Sequence, residues 1–184
     1  MVNENNNSQV NEQELIAATQ ADSKAFGNLY KLYIGRVFKY VYSRLGNVPE
    51  AEDVTAQTFL AAFESFGKYR QDGHFASWLF TIARNKVVNY YRIPKKTAPL
   101  DSIEKSSIEI DPLQDMIRSD QLEVLANLVK ALPEKDQELL RLRFLGEMSF
   151  SDIAKLIHRN EQAVKKAIYR LLARLKAQAE VSNE

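Results

Sequence analysis

Apolar residues recur at helical spacing along almost the whole chain, and one interruption breaks the pattern. Strand signals are weak. The periodicity predicts helices near Gln13–Thr19, Ser23–Arg44, Glu50–Phe66, Phe75–Arg92, Asp115–Ala131, Glu134–Phe144, Phe150–Ile157 and Glu161–Gln178. The interruption is "IPKKTAPLDSIEKSSIEIDPLQD". It holds Pro94, Pro99 and Pro112, several Ser and Asp residues and few large apolar groups, as an extended linker does. The expected fold is therefore all-α, with two small helical domains over residues 13–93 and 115–178. A flexible linker joins them over 94–114, and tails lie at 1–12 and 179–184. The first tail, "MVNENNNSQVNE", is Asn-rich and polar enough to be disordered.

The end of the chain has the clearest local architecture. Ser149 followed by Asp152 is a capping-box pattern, so a helix should open near Phe150. Ile153, Ala154, Leu156 and Ile157 give that helix one apolar face. His158 and Arg159 interrupt it, and Asn160 is a good N-cap for the next helix. Ala163, Val164, Ala167, Ile168, Leu171, Leu172 and Leu175 then form one stripe, with Gln162, Lys165, Lys166, Tyr169 and Arg170 away from it. The small Ala154 and Ala163 suit a steep crossing. A sharp corner before a polar second helix is the geometry that reads a DNA major groove. Gln and Lys in the first turns of that helix are the types that pair with adenine and guanine edges. A merely solvated basic face is the plain alternative. Elsewhere Gly46 and Gly146 read as helix C-caps, with Pro49 and Pro133 at helix starts.

Charge is sorted along the chain. The 184 residues carry a net charge of only +1. Yet Lys155, Arg159, Lys165, Lys166, Arg170, Arg174 and Lys176 face Glu161 alone in one stretch. Lys68, Arg70, Arg84, Lys86, Arg92, Lys95 and Lys96 face Asp72 alone in another. Two basic islands in a near-neutral chain suggest a polyanion bound at two places. Cysteine is absent, so there is no disulfide framework and no thiolate metal site. No apolar run approaches a membrane span, and the start lacks the pattern of a signal peptide. A cytoplasmic protein without cofactor or metal is expected.

Two segments of the first domain carry information. In "KYRQDGHFASWLFTIARNKVVNYYR" a polar loop leads into a helix whose buried side should hold Phe75, Leu79, Ile82 and Ala83. Thr81, Arg84, Asn85, Val88, Asn89 and Arg92 fall on the other face, with Lys86 at its edge. Cations and amides interleaved with Tyr69, Phe75, Trp78, Tyr90 and Tyr91 are the mixture that binds single-stranded nucleic acid. Trp78 itself reads first as core. "PEAEDVTAQTFLAAFESF" is amphipathic, with Val54, Phe59, Phe63 and Phe66 as expected core. Glu52, Asp53 and Gln57 share another face. They suit the helix dipole, or a basic partner.

These residues resemble bacterial RNA polymerase sigma factors of the extracytoplasmic-function type, over roughly Leu15 to Leu175. "AEDVTAQTFLAAF" is similar to the polymerase-clamp-binding helix of sigma region two. "FASWLFTIARNKVVNYYR" is similar to the segment that melts and reads the minus-ten element. "LPEKDQELLRLRFLGEMSFSDIAKLIHRNEQAVKKAIYRLLARL" is similar to region four, which reads the minus-thirty-five element. The resemblance implies polymerase contacts at Glu52, Asp53 and Gln57. It implies minus-ten contacts at Tyr69, Arg70, Gln71, His74, Trp78, Arg84, Asn85, Lys86, Asn89 and Arg92. Minus-thirty-five contacts fall at Arg159, Asn160, Glu161, Gln162, Lys165, Lys166, Tyr169 and Arg170. The implied partners are core RNA polymerase and promoter DNA, duplex at minus thirty-five and single-stranded at minus ten. The family also admits an anti-sigma factor. The chain departs from the family where Ala56-Gln57 replaces a frequent Gln-Glu, and where His158-Arg159 replaces a Gly and an apolar residue.

Other readings make different demands. A helix-turn-helix regulator would need only the last third, and a response regulator would show alternating strands and helices before it. A hydrolase would need a metal cluster or an activated nucleophile, and His74 and His158 lie in separate domains without a ligand spacing. A sigma-like decoy would keep the fold without programming polymerase.

Overall fold

The computed structural model describes the backbone of residues 3–70, 72–92 and 124–181, with side chains from Glu12 onward. Every regular element among these residues is helical. Helix α1 spans Asn3–Ala21, α2 Phe26–Leu45, α3 Val48–Ser65 and α4 Phe75–Arg92. Residues 124–130 form α5. Then come α6 Glu134–Leu140, α7 Phe150–Leu156 and α8 Glu161–Val181.

Local chemistry explains most boundaries. Asp22 accepts from the Lys24 amide and opens a short 3-10 turn, Ser23–Ala25, so α2 begins at Phe26 and not at Ser23. Gly46 ends α2 at φ 70, a left-handed position that costs glycine little. Asn47 caps α3 by accepting from Glu50, and Pro49 stands in the first turn. Helix α1 departs from the expected tail: its backbone is helical back to Asn3. Once Ile16 is packed, each residue added upstream gains a hydrogen bond without a new nucleation cost. Much of the expected Asp115–Ala131 helix, and the whole 94–114 linker, lie outside the described residues.

The core of the first domain is a stripe on α2. Leu29, Tyr33, Val37, Tyr40 and Val41 are fully buried between α3 and α4. Each large apolar side chain so covered contributes roughly 1.5–3 kcal/mol. Phe75, Leu79, Phe80, Ala83 and Val87 supply the inner face of α4. The expected core on α3 needs one correction. Val54, Phe59 and Phe66 are buried, but Phe63 is 47% exposed. Its ring touches Phe26 edge-on and leaves its other side to solvent.

In the second domain α7 and α8 form the expected helix-turn-helix. Ser149 accepts from the Asp152 amide, and Asn160 accepts from Gln162. Ile153, Ala154, Leu156, Val164, Ile168, Leu171 and Leu175 are buried, whereas Ala163 is exposed. The close crossing therefore uses Ala154 only. The expected helix to Phe144 changes character at Arg141, where residues Arg141–Leu145 widen into a π turn. Gly146 is not a left-handed cap, since its φ is −77 and Glu147 carries the positive φ of 51. His158 turns the corner at φ 54, a left-handed position that favours glycine.

The two domains pack on one another. The α2 and α4 helices of the first meet the Arg141–Leu145 turn and α7 of the second, and the buried apolar residues form one continuous cluster.

Candidate nucleic-acid interface

The exposed face of α4 emerges as the spacing predicted. Thr81, Arg84, Asn85, Val88, Asn89 and Arg92 are exposed, and Lys86 is half-buried at the edge. At the N-terminal end of this face lies a groove of about 620 Å³. Lys68, Arg70, His74, Trp78, Arg84 and Asn85 line it from the first domain; Lys155, Ile157 and His158 line it from the second. Trp78 is half-buried, packed on Phe66, Tyr69 and Phe75, with one side toward the groove. It serves the core and the groove together.

Tyr69 differs from the expected base platform. It is only 7% exposed, because Phe66, Phe75 and Trp78 cover its ring. Burial pushes its phenol up to about 12. It is the floor of the groove, not a free ring. Gln71 lies outside the described residues. Arg70, Asp72 and His74 form the loop before α4, and His74 is held there by Asp152 of α7, Nδ1 to Oδ1 at 2.9 Å. Asp72 pairs with Lys155, whose hydrogen bond holds the Asp72 carboxyl below the usual carboxylate range.

On α3, Glu52, Asp53 and Gln57 are exposed, and Gln57 Nε2 donates to Asp53 Oδ2 at 2.8 Å. The same face continues through Leu60, 59% exposed, to Phe63. Spacing alone assigned Phe63 to the core, and a lone exposed Leu carries no signal. On α8, Glu161, Gln162, Lys165, Lys166, Tyr169 and Arg170 are all exposed, as are Arg159 and Asn160 just ahead of it. Gln162, Lys165 and Lys166 project from its first two turns. Arg159 and Arg170 instead line a second cleft, toward Arg44, Arg84 and Val88 of the first domain. Tyr169 lies against Phe150, which in turn carries the Arg143 guanidinium at 4.5 Å.

The contacts between the domains had no signal in the sequence. Glu138 of α6 is 9% exposed and receives Tyr40 at 2.8 Å and Arg44 at 2.7 Å. Arg84 stands 3.8 Å and Arg141 3.9 Å from the same carboxylate. Burial pulls the Arg44 guanidinium down, but Glu138 and its neighbours outweigh that and raise it. Arg36 donates to the carbonyls of Gly146 at 3.0 Å and Glu147 at 2.7 Å. Among the described residues no His, Asp or Glu group could hold a metal, and no helix is long and apolar enough to cross a membrane.

This is a two-part helical protein of the DNA-binding kind, with exposed basic side chains on both parts. The comparisons with known proteins agree. Sigma-70 region 2 matches residues 29–96, and Sigma-70, region 4 matches residues 122–175. The chain is 33% identical over 167 residues to the ECF RNA polymerase sigma factor BldN of Streptomyces coelicolor; the match covers 88% of this chain and 63% of that protein. It is 27% identical over 150 residues to the ECF RNA polymerase sigma factor SigM of Bacillus subtilis, covering 81% and 91%. The fold is also similar to that of the sigma factor RpoE from Bartonella quintana, solved with the anti-sigma factor NepR. The TM-score is 0.58 at 19% identity, over 86% of this chain and 98% of that one. The chain belongs to the sigma-70 family, in its extracytoplasmic-function group.

Proposed function

We propose that the chain binds core RNA polymerase and directs it to promoters, with residues 13–93 docking the enzyme and reading the minus-ten element. Residues 115–178 read the minus-thirty-five element, and 94–114 link the two. The observation that carries this is the exposed polar face of α4, which lies beside a basic groove with Trp78 in its wall. Cations there can track phosphates while unpaired bases meet the indole or the Asn85 and Asn89 amides. Capturing an extruded base costs a few kcal/mol of unstacking, which pocket and polymerase must offset. Asp53 and Gln57, extended by Leu60 and Phe63, dock the polymerase. Arg159, Asn160, Glu161, Gln162, Lys165 and Lys166 face base edges or adjacent phosphates in the upstream major groove, and Tyr169 and Arg170 hold phosphates. The chain does no bond chemistry of its own; it positions DNA for the polymerase. An anti-sigma factor is a further partner, as it is for the Bartonella protein.

The test is run-off transcription from a random promoter library by core polymerase with and without the chain. The reading requires products that depend on the chain and disappear with Asp53→Arg. Tight polymerase binding without any product would make the chain a decoy. Duplex DNA binding without polymerase binding would make it an ordinary helix-turn-helix regulator.

A further inference from the structure

Tyr169 stands three residues past Lys166 and seven past Gln162, so it continues the strip that those residues begin on α8. It is 55% exposed, yet its ring is not free. The Phe150 ring lies 5.9 Å away, tilted by 51°. Phe150 is the first residue of α7 and is half-buried. It carries the Arg143 guanidinium at 4.5 Å, and Arg143 Nη1 donates to the Met148 carbonyl at 2.7 Å. Arg143 belongs to the Arg141–Leu145 π turn, an irregularity that is frequent at functional sites. Three side chains from three elements thus stand in one row, and the outermost is on the reading helix.

An exposed tyrosine samples several rotamers, and fixing one of them on binding costs affinity. Contact with Phe150 restricts the Tyr169 ring before DNA arrives. In a helix-turn-helix the first helix crosses the DNA backbone while the second enters the groove. A residue of α8 that touches the start of α7 therefore stands where backbone phosphates pass. Phe150 has no polar side-chain group and cannot hold a phosphate itself, whereas the Tyr169 hydroxyl can donate to one.

We propose that Phe150 is a positioning residue for Tyr169: backed by Arg143, it fixes the tyrosine ring so that its hydroxyl meets a backbone phosphate at the end of the reading strip. This rests on α8 being the helix that enters the major groove. The contact is a neutral one. A hydroxyl hydrogen-bonds a phosphate without releasing a counterion, whereas an arginine at a phosphate releases one.

The test titrates the full chain, without polymerase, against a fluorescent DNA duplex of random sequence over a range of salt concentrations. Phe150→Leu and Tyr169→Phe should each lower affinity roughly fivefold, and the double variant no further, as coupled neighbours do. Neither should alter the log–log salt slope, which Arg170→Ala should flatten by about one unit. Phe150→Tyr keeps the ring and should retain the parent's affinity. A flattened slope in Phe150→Leu would mean that the substitution loosens the whole helix-turn-helix, and would overturn the positioning role. So would losses that multiply in the double variant, or a loss in Phe150→Tyr as deep as in Phe150→Leu. A Phe150→Leu chain that binds as the parent does, while Arg170→Ala weakens binding, overturns the positioning role alone. If Arg170→Ala, Tyr169→Phe and Phe150→Leu all bind as the parent does, α8 is not the groove-reading helix, and that reading falls together with the proposal.

Discussion

The Phe80 ring lies 2.8 Å from where a Cβ on Gly146 would sit, so a helix of the first domain occupies the space that a side chain of the second would need. The Leu142 carbonyl is equally close, so Gly146 is hemmed in by its own domain and by its neighbour. Gly146→Ala should cost about 1–3 kcal/mol, the usual range for overpacking. In a double-mutant cycle with Phe80→Leu the costs should not add, because the smaller side chain relieves part of the clash. Additive costs in urea unfolding would mean that the carbonyl alone sets the penalty.

The strained corner of the helix-turn-helix leads to a second prediction. His158 sits at φ 54, which costs an L-residue roughly 1–2 kcal/mol. His158→Gly removes that strain but gives the unfolded chain about 0.4–1 kcal/mol more entropy to lose. The net result should be a gain of about 1 kcal/mol at most, visible as a slightly higher melting temperature. A loss would show that the His158 side chain contributes contacts along the groove.

Acid–base linkage singles out Glu12. Its carboxyl lies in the Tyr33–Arg36 region, and burial, the largest cause, holds its pKa above the usual 4.5 although the Tyr33 hydrogen bond opposes this. Between the unfolded and folded values the native state binds the extra proton. The Glu12 contribution to stability is thus full below about 4.5 and is lost as pH rises through the folded value. Glu12→Gln cannot lose a proton, so stability relative to the parent should rise across that window. A parent and variant with parallel pH profiles would contradict the assignment.

The helix periods and the outward face of α4 were legible in the sequence because both are local. Arg84, Asn85, Val88, Asn89 and Arg92 follow from counting residues along one helix. The seam was not legible. Tyr40 and Glu138 are 98 residues apart, and nothing in either helix signals the other. Phe63 was misread because a helical apolar position does not say whether its partner belongs to the same chain. Gly146 does cap its helix, as its place in the sequence suggested, but without positive φ; glycine serves two needs, positive φ and close approach, and spacing cannot tell them apart. Tyr69 lines the groove from beneath, a placement the sequence could not show because an aromatic cluster can be a floor or a platform.

Asp53 offers a direct test of the polymerase face. It is exposed, and its hydrogen-bond partner among the described residues is Gln57 of the same helix. Asp53→Arg should change stability by about half a kcal/mol or less, as surface substitutions usually do. Affinity for core polymerase should fall roughly tenfold or more, the loss expected at an interface hot spot. Leu60→Ala should weaken binding too, since its side chain lies on the same exposed face. A titration against core polymerase that shows no change for Asp53→Arg would remove this face from the docking surface.

The second helix of the terminal pair separates two kinds of DNA contact. Gln162, Lys165 and Lys166 occupy one strip at i, i+3 and i+4, exposed in the first turns of α8. A single helix in a major groove reaches a few base pairs, and this strip has that length. Arg170 lies a turn further on and lines the cleft toward the first domain, so it suits a phosphate better than a base edge. Base contacts specify sequence, whereas phosphate contacts only position the protein. Arg170→Ala should therefore weaken all promoters alike and flatten the log–log salt dependence by about one unit. Gln162→Ala or Lys165→Ala should instead change which upstream sequences are selected, by about 1–3 kcal/mol for each lost pairing. The measurement is a promoter-library selection with each variant holoenzyme at two salt concentrations. If variants at Gln162, Lys165 and Lys166 all select the parent's upstream sequence, α8 is a phosphate clamp, and its charge positions the duplex without reading it.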